Sequence, residues 1–121
     1  MKCILDTSAI INLVLRLGNK VIDLFKECLT ADLAYYEIGN FLLKTKRIDL
    51  AKDFLRVMRF LNIENVDLNE EVLTIAINEN LTYYDAVFLF LSKKYKIPIV
   101  SDDNDLISKG TIRSSEIIKD L

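Results

Sequence analysis

Histidine is absent from the 121-residue chain, and its absence narrows the chemistry available to the protein. No histidine can act as a general base, activate a nucleophile or bind a metal ion. A zinc site would need cysteine or carboxylate ligands, but the only cysteines are Cys3 and Cys28. Because they lack CxxC spacing and lie in apolar stretches, we predict two buried thiols rather than metal ligands.

Chain breakers are also scarce, with one proline and three glycines, so no linker is evident and we expect residues 1–121 to form one domain. No apolar run reaches the roughly 18 residues of a membrane span. Residues 1–17 lack the features of a secretory signal, so we expect a soluble cytoplasmic protein without membrane contact. The hydrophobic content of 51% argues against disorder, and the net charge of -2 argues against a broad basic face for nucleic acid. Any contact with nucleic acid must therefore be local, or assisted by a bound metal ion.

Short apolar runs alternate with amphipathic segments along the chain. Strands are predicted at residues 2–5, 29–34, 63–68 and 97–100, with a last edge strand at 112–113. Helices are predicted over 9–17 (capped by Thr7 and Ser8), 21–28, 35–45 and 50–61, from Asn69, from Thr82, and as a turn over 105–109. This alternation predicts an α/β fold in which helices cover both faces of a mostly parallel sheet.

Two of the predicted helices carry more detailed expectations. The run 86–91 is apolar on every side, so its helix should be central in the fold. The helix that begins at Asn69 should bury the apolar residues Val72, Leu73, Ala76 and Ile77.

Four carboxylates lie where predicted strands or helices begin or end. Asp6 and Asp103 follow predicted strands, whereas Glu37 and Asp85 open apolar helical runs. In parallel α/β sheets the functional crevice lies beyond the carboxyl ends of the strands, where these acids can converge. Converging carboxylates repel one another and require a cation. Without histidine or paired cysteines, Mg²⁺ or Mn²⁺ is the expected ion, of the kind used in phosphoryl chemistry.

Each acid also has a structural interpretation. Thr82 and Asp85 are spaced like a capping box, and Asp6 is placed to cap the first helix. Glu37 suits the positive end of a helix dipole. Individually these signals are weak, and their value lies in occurring together. The acids after the last long strand have the composition of an ordinary turn: Asp102, Asp103 and Asp105.

The segments that contain the acids resemble the motifs of PIN-domain nucleases, in the family's order and over nearly the whole chain. The length is most similar to that of the VapC-type toxins of bacterial and archaeal toxin–antitoxin pairs. The resemblance implies a three-layer α/β/α domain with a mostly parallel central sheet. The matching segments are Ile4-Leu5-Asp6-Thr7-Ser8-Ala9, Tyr36-Glu37-Ile38-Gly39-Asn40, Tyr84-Asp85-Ala86, and Ile99-Val100-Ser101-Asp102-Asp103 with Leu106.

The resemblance implies an endoribonuclease that depends on Mg²⁺ or Mn²⁺ and uses a metal-activated water to hydrolyse RNA. The implied catalytic and metal-binding acids are Asp6, Glu37, Asp85 and Asp103. The fourth position is open, since Asp102 or Asp105 could be the ligand or a helper. The implied supporting residues, which would orient ligands or water, are Thr7, Asn40 and Ser101, with Asp105 beside them.

The resemblance also implies partners: an RNA substrate, a small VapB-type antitoxin and a second copy of the chain in a homodimer. The apolar stretches 10–17 and 54–61 exceed what one helix face needs, so we expect one of them to contribute to the dimer. Two departures from the family pattern are Tyr36, where a small polar residue is common, and Ser101, where threonine is usual. The alternative is a non-catalytic PIN-fold interaction module whose acids hold a structural ion, or a vestigial site.

Two tyrosine pairs, at 35–36 and 83–84, directly precede candidate ligands. We expect them to pack against the core with a solvated hydroxyl group. The alternative is that they stack on unpaired bases, as aromatic residues do in proteins that bind single-stranded RNA.

Overall fold

A computed structural model describes residues 1–121 and contains one four-stranded sheet. All strand pairs are parallel, and the strand order is β3-β2-β1-β4. The predicted α/β architecture with a parallel sheet is confirmed. The strands are β1 (Cys3–Leu5), β2 (Cys28–Ala31), β3 (Asn62–Glu64) and β4 (Ile99–Val100).

Eight helices connect and flank these strands. None of them combines the length and the apolar character that a bilayer span requires. Short 3₁₀ turns at Gly18–Val21 and Ile48–Leu50 precede two of the helices. The helices are α1 (Thr7–Leu17), α2 (Ile22–Lys26), α3 (Leu33–Lys44), α4 (Ala51–Met58), α5 (Glu70–Glu79), α6 (Tyr83–Tyr95), α7 (Asn104–Ile107) and α8 (Ser114–Lys119).

Strand side chains alternate between two cores, one on each face of the sheet. In β1, Cys3 and Leu5 pack with α1 to α4 and α8, whereas Ile4 packs with α5 and α6 on the opposite face. This arrangement is the three-layer α/β/α fold expected from the sequence. The thiols of Cys3 and Cys28 are buried in the first core, as predicted, and their Sγ atoms lie 2.9 Å apart.

The helix that begins after Asn69 buries a different face from the predicted one. Asn69 caps α5 as expected, by accepting from the backbone N–H groups of Glu71 and Val72. Val72 is fully buried, but Leu73 is 42% exposed and Ile77 is 79% exposed. Apolar residues surround this helix, so their spacing alone could not select the face that packs against α6.

Several element boundaries differ from the predicted ones, near both chain ends and at β2. The predicted edge strand at 112–113 is a single bridge between Val100 and Ile112, and α8 after it was not predicted. The first helix begins at Thr7 and is capped by Asp6, which confirms the structural role suggested for Asp6, whereas Thr7 and Ser8 do not cap it. Cys28 belongs to β2, not to the preceding helix.

Candidate metal centre

The acidic residues meet at the carboxyl edge of the sheet. Strand β1 leads directly into Asp6, and β4 leads into the segment that contains Ser101 and Asp103. These two strands are hydrogen-bonded neighbours, so their carboxyl ends lie side by side. Helix α6 presents Asp85 from its first turn, because Thr82 caps the helix by accepting from the Asp85 N–H (3.2 Å).

Three of the acids form a cluster that can hold a cation. One carboxylate oxygen from each of Asp85, Asp103 and Asp105 lies within 4.8 Å of those of the other two. Asp85 and Asp103 are half-buried, and Asp105 is exposed. All three donors are oxygen atoms without nearby histidine or cysteine, a donor set that fits Mg²⁺ or Mn²⁺.

Asp6 lies beside this cluster and is almost completely buried. Its carboxylate accepts hydrogen bonds from the Ala9 N–H (2.9 Å) and the Ser8 hydroxyl (2.7 Å), and a further one from the Ser101 hydroxyl. Burial raises the pKa of Asp6 to about 6, against the lowering effect of these hydrogen bonds, and the charge of Asp103 raises it further. Asp6 therefore caps α1 and also adds a carboxylate to the acidic edge.

The electrostatics of Asp85 connect it to the other acids. Burial is the main cause that raises the pKa of Asp85 to about 6, followed by the charges of Asp103, Asp105 and Asp6. A pKa raised by like charges means that the site favours either a proton or a cation. The interpretation of Asp85 as part of a capping motif and its interpretation as a ligand are compatible, because the cap uses its backbone N–H and a carboxylate has two oxygens for other partners.

Glu37 is set apart from the three-acid cluster. It lies in the second turn of α3, where one carboxylate oxygen accepts from the Thr7 hydroxyl (2.6 Å). Thr7 follows Asp6 in the chain, so this contact fixes Glu37 at the Asp6 side of the acidic edge. Glu37 and the exposed Asn40 line an open depression of about 490 Å³ together with Lys44.

Asp102 has a structural role that is different from that of its acidic neighbours. It accepts from Asn12 Nδ2 (2.6 Å), from the Ser114 N–H (3.0 Å) and from the Ser114 hydroxyl. Burial opposes ionisation, but the hydrogen bonds from Ser114 and Asn12 hold the pKa of Asp102 below its ordinary value. Asp102 therefore fastens α8 to α1, and the structure groups Asp103 and Asp105 with Asp85 instead.

Ser8 and Ser101 connect the two strand ends. Ser8 donates to Asp6 and accepts from the Asp102 N–H (2.9 Å), while Ser101 donates to Asp6 and accepts from the Asp103 N–H (3.0 Å). The family resemblance predicts Ser101 beside the site, whereas the sequence suggests only a capping role for Ser8. Its position two residues after Asp6 was the one available signal.

The fold and the acidic edge define a three-layer α/β/α protein with a candidate cation site beside the central strands. The model of the PIN domain family matches residues 3–111, and the chain therefore belongs to this family. PIN domains are in general nucleases.

Solved structures agree with the family assignment. PAE2754 from Pyrobaculum aerophilum is similar with a TM-score of 0.88 and 23% identity, over 99% of this chain and 88% of that one. A toxin–antitoxin complex from Klebsiella pneumoniae is similar with a TM-score of 0.65 and 15% identity, over 87% of this chain and 90% of that one. At these identities the likeness establishes the fold. No curated protein sequence matches the chain.

Proposed function

We propose that this protein is an endoribonuclease dependent on Mg²⁺ or Mn²⁺, and that it is the toxin of a VapBC-type pair acting in the cytoplasm. The observation that carries the proposal is the cluster of Asp85, Asp103 and Asp105, with the buried Asp6 beside it, at the carboxyl edge of a PIN-family sheet. Four like charges in electrostatic contact need a counter-charge, and their oxygen atoms suit a hard divalent ion.

In this proposal Asp85, Asp103 and Asp105 hold the ion, with Asp6 contributing from the β1 side. A divalent ion in such a site supplies an activated water nucleophile and neutralises charge that develops at the leaving oxygen. Ser8 and Ser101 position Asp6 by donating to its carboxylate. Thr7 orients Glu37 in the same way, which leaves the second oxygen of Glu37 free to act on water or substrate.

The toxin assignment rests on the fold shared with the Klebsiella pneumoniae toxin–antitoxin complex. We infer a small antitoxin as partner, and a homodimer. In the apolar stretches singled out in the sequence, Leu15 on α1 is 50% exposed and Leu55 on α4 is 60% exposed, which supports a contribution of one of these helices to the dimer.

Metal-dependent cleavage by the purified protein tests the proposal. Wild type should cleave single-stranded RNA with Mg²⁺ or Mn²⁺ and stop in EDTA. Asp6→Asn and Asp85→Asn should each lower the rate by more than roughly 100-fold, which is the upper end of the cost of losing a residue that only supports a metal ligand. Asp23→Asn is the matched control, because the Asp23 side chain is 97% exposed on α2.

Two results would favour the non-catalytic interaction module. In the first, folded wild-type protein binds the ion but cleaves no RNA. In the second, the site variants cleave as fast as the control. Circular dichroism of every variant separates loss of the site from loss of the fold.

A further inference from the structure

A second concave site lies beside the acidic centre on the same edge of the sheet. It is a cavity of about 170 Å³ at the carboxyl ends of β2 and β3, closed on one side by the start of α6. Val66 and Val87 contribute apolar surface, and Tyr36 and Tyr84 line it as well. Its polar lining residues include the acids Asp32 and Asp67.

The two tyrosines connect the cavity to the proposed cation site. Tyr36 directly precedes Glu37, and Tyr84 directly precedes Asp85. Tyr36 is 71% exposed and Tyr84 is 59% exposed, so their rings are not part of either core. The sequence-based expectation that both tyrosine pairs pack against the core therefore holds for Tyr83, which packs against the second core, and is wrong for the exposed Tyr35, Tyr36 and Tyr84.

The neighbouring Tyr83 shows how the far wall of the cavity is held. Its hydroxyl donates to the Asp67 carbonyl oxygen and accepts from the Asn69 N–H (2.9 Å). Asp67 has a left-handed backbone with φ of 57°, a conformation that costs energy and that the Tyr83 hydrogen bond fixes. The wall that carries Asp67 is thus preorganised before any ligand arrives.

We propose that this cavity binds one unpaired nucleobase, of the kind that carries an exocyclic amino group, next to the phosphate at the acidic centre. This inference rests on the proposed function and names a base subsite for the same substrate. The flat face of a base stacks on tyrosine rings, and exocyclic amino groups donate to carboxylates such as those of Asp32 and Asp67. Uracil has only carbonyl oxygens at the corresponding positions, and these would face the same carboxylates.

The charge of the protein supports a base rather than the phosphate backbone as the main contact. With a net charge of -2, the chain offers no broad basic face from which most nonspecific affinity for nucleic acid comes. Stacking is independent of that charge, so base contacts can hold the substrate where phosphate contacts are few.

Uncharged nucleosides test the subsite independently of metal and of cleavage. Adenosine, cytidine and uridine are titrated into wild-type protein in EDTA, and backbone amide shifts are followed by NMR. Adenosine and cytidine should shift residues of the cavity saturably, and uridine should bind at least several-fold more weakly.

Variants of the exposed tyrosines identify the contact. Tyr36→Leu and Tyr84→Leu should weaken nucleoside binding by about 5- to 150-fold, the range expected for loss of one stacking partner. Tyr36→Phe and Tyr84→Phe should bind like wild type, because they keep the ring. Tyr35→Leu is the matched control, since Tyr35 lies on the same helix but does not line the cavity.

The subsite proposal is overturned if nucleosides shift no cavity residue, or if Tyr35→Leu loses as much binding as the two test variants. It is also overturned if Tyr36→Leu and Tyr84→Leu lose only binding to a protein partner, since the surface then belongs to that partner. RNA cleavage without nucleoside binding removes the subsite and keeps the nuclease. Saturable nucleoside binding in a protein that cleaves no RNA supports the subsite and removes the nuclease.

Discussion

Asp6 combines two requirements that oppose each other in the metal-free protein. As the cap of α1 it must be buried at the start of the helix, yet burial raises its pKa to about 6. The ordinary value is 3.8, so between these two values the folded protein keeps a proton that the unfolded chain releases. The bound proton stabilises the folded state. This contribution is complete below the pKa of the unfolded chain and is lost as the pH rises through the pKa of the folded protein.

Replacing Asp6 with asparagine should remove the free-energy cost of burying a charged carboxylate at this position. Asp6→Asn keeps a capping oxygen for the Ala9 N–H but carries no charge. In EDTA at pH 7 the variant should be more stable than wild type by up to about 3 kcal/mol, and at pH 4 the two should be similar. Urea unfolding at pH 4, 5.5 and 7 measures the difference. A wild type that is the more stable protein at pH 7 would contradict this account of Asp6.

At the scale of secondary structure, the last helix depends on one carboxylate. Helix α8 has only six residues and two isoleucines, and Asp102 binds both the N–H and the hydroxyl of its first residue, Ser114. Asn12 of α1 binds the same carboxylate. Asp102 and Asp103 are neighbours in the chain, yet one fastens a helix and the other faces the acidic cluster.

Substitutions at these two neighbours should therefore change different properties, stability at Asp102 and cation affinity at Asp103. Asp102→Ala leaves the Ser114 and Asn12 donors without their partner and should lower the free energy of unfolding by about 1–3 kcal/mol, with little change in Mn²⁺ affinity. Asp103→Asn keeps the capping oxygen that accepts from the Asp105 N–H (2.9 Å), so stability should be kept while Mn²⁺ affinity falls. Urea unfolding and calorimetric Mn²⁺ titration measure the two effects. The assignment fails if Asp102→Ala weakens Mn²⁺ binding as much as Asp103→Asn does.

This pair also shows the limits of prediction from sequence. The alternation of strands and helices, and the acids at their ends, were sufficient to predict the sheet, its layers and the edge that holds the candidate site. Three acids within four residues have no periodicity that distinguishes them, so the separate contacts of Asp102, Asp103 and Asp105 required the structure. Helix α8 has only six residues, too few for a helical apolar period to be recognised, and its contact with Asp102 lies 12 residues away in the chain.

At the scale of the whole molecule, cation binding should stabilise the fold in a pH-dependent manner. An ion at 100 times its dissociation constant raises the free energy of unfolding by about 2.7 kcal/mol. Asp6 and Asp85 both have a pKa of about 6, so protons compete with the ion below that pH. At a fixed Mg²⁺ concentration, the rise in Tm should be large at pH 7.5 and less than half as large at pH 5.

Differential scanning calorimetry with and without Mg²⁺ measures this rise, and Asp103→Asn is its control. A general salt effect would raise the Tm of the variant and of wild type equally, at both pH values. That result would mean that the acidic edge does not bind the ion.

The strand order also determines how late in synthesis the acidic edge can form. Strand β1 lies between β2 and β4, so Asp6 meets Ser101 only across 95 residues of sequence. At roughly 5–20 residues per second, a ribosome needs about 5 to 20 s to make the intervening segment. The acidic edge cannot assemble during that interval, so a cation site that needs Asp6 beside Asp103 forms only when most of the chain has been synthesised.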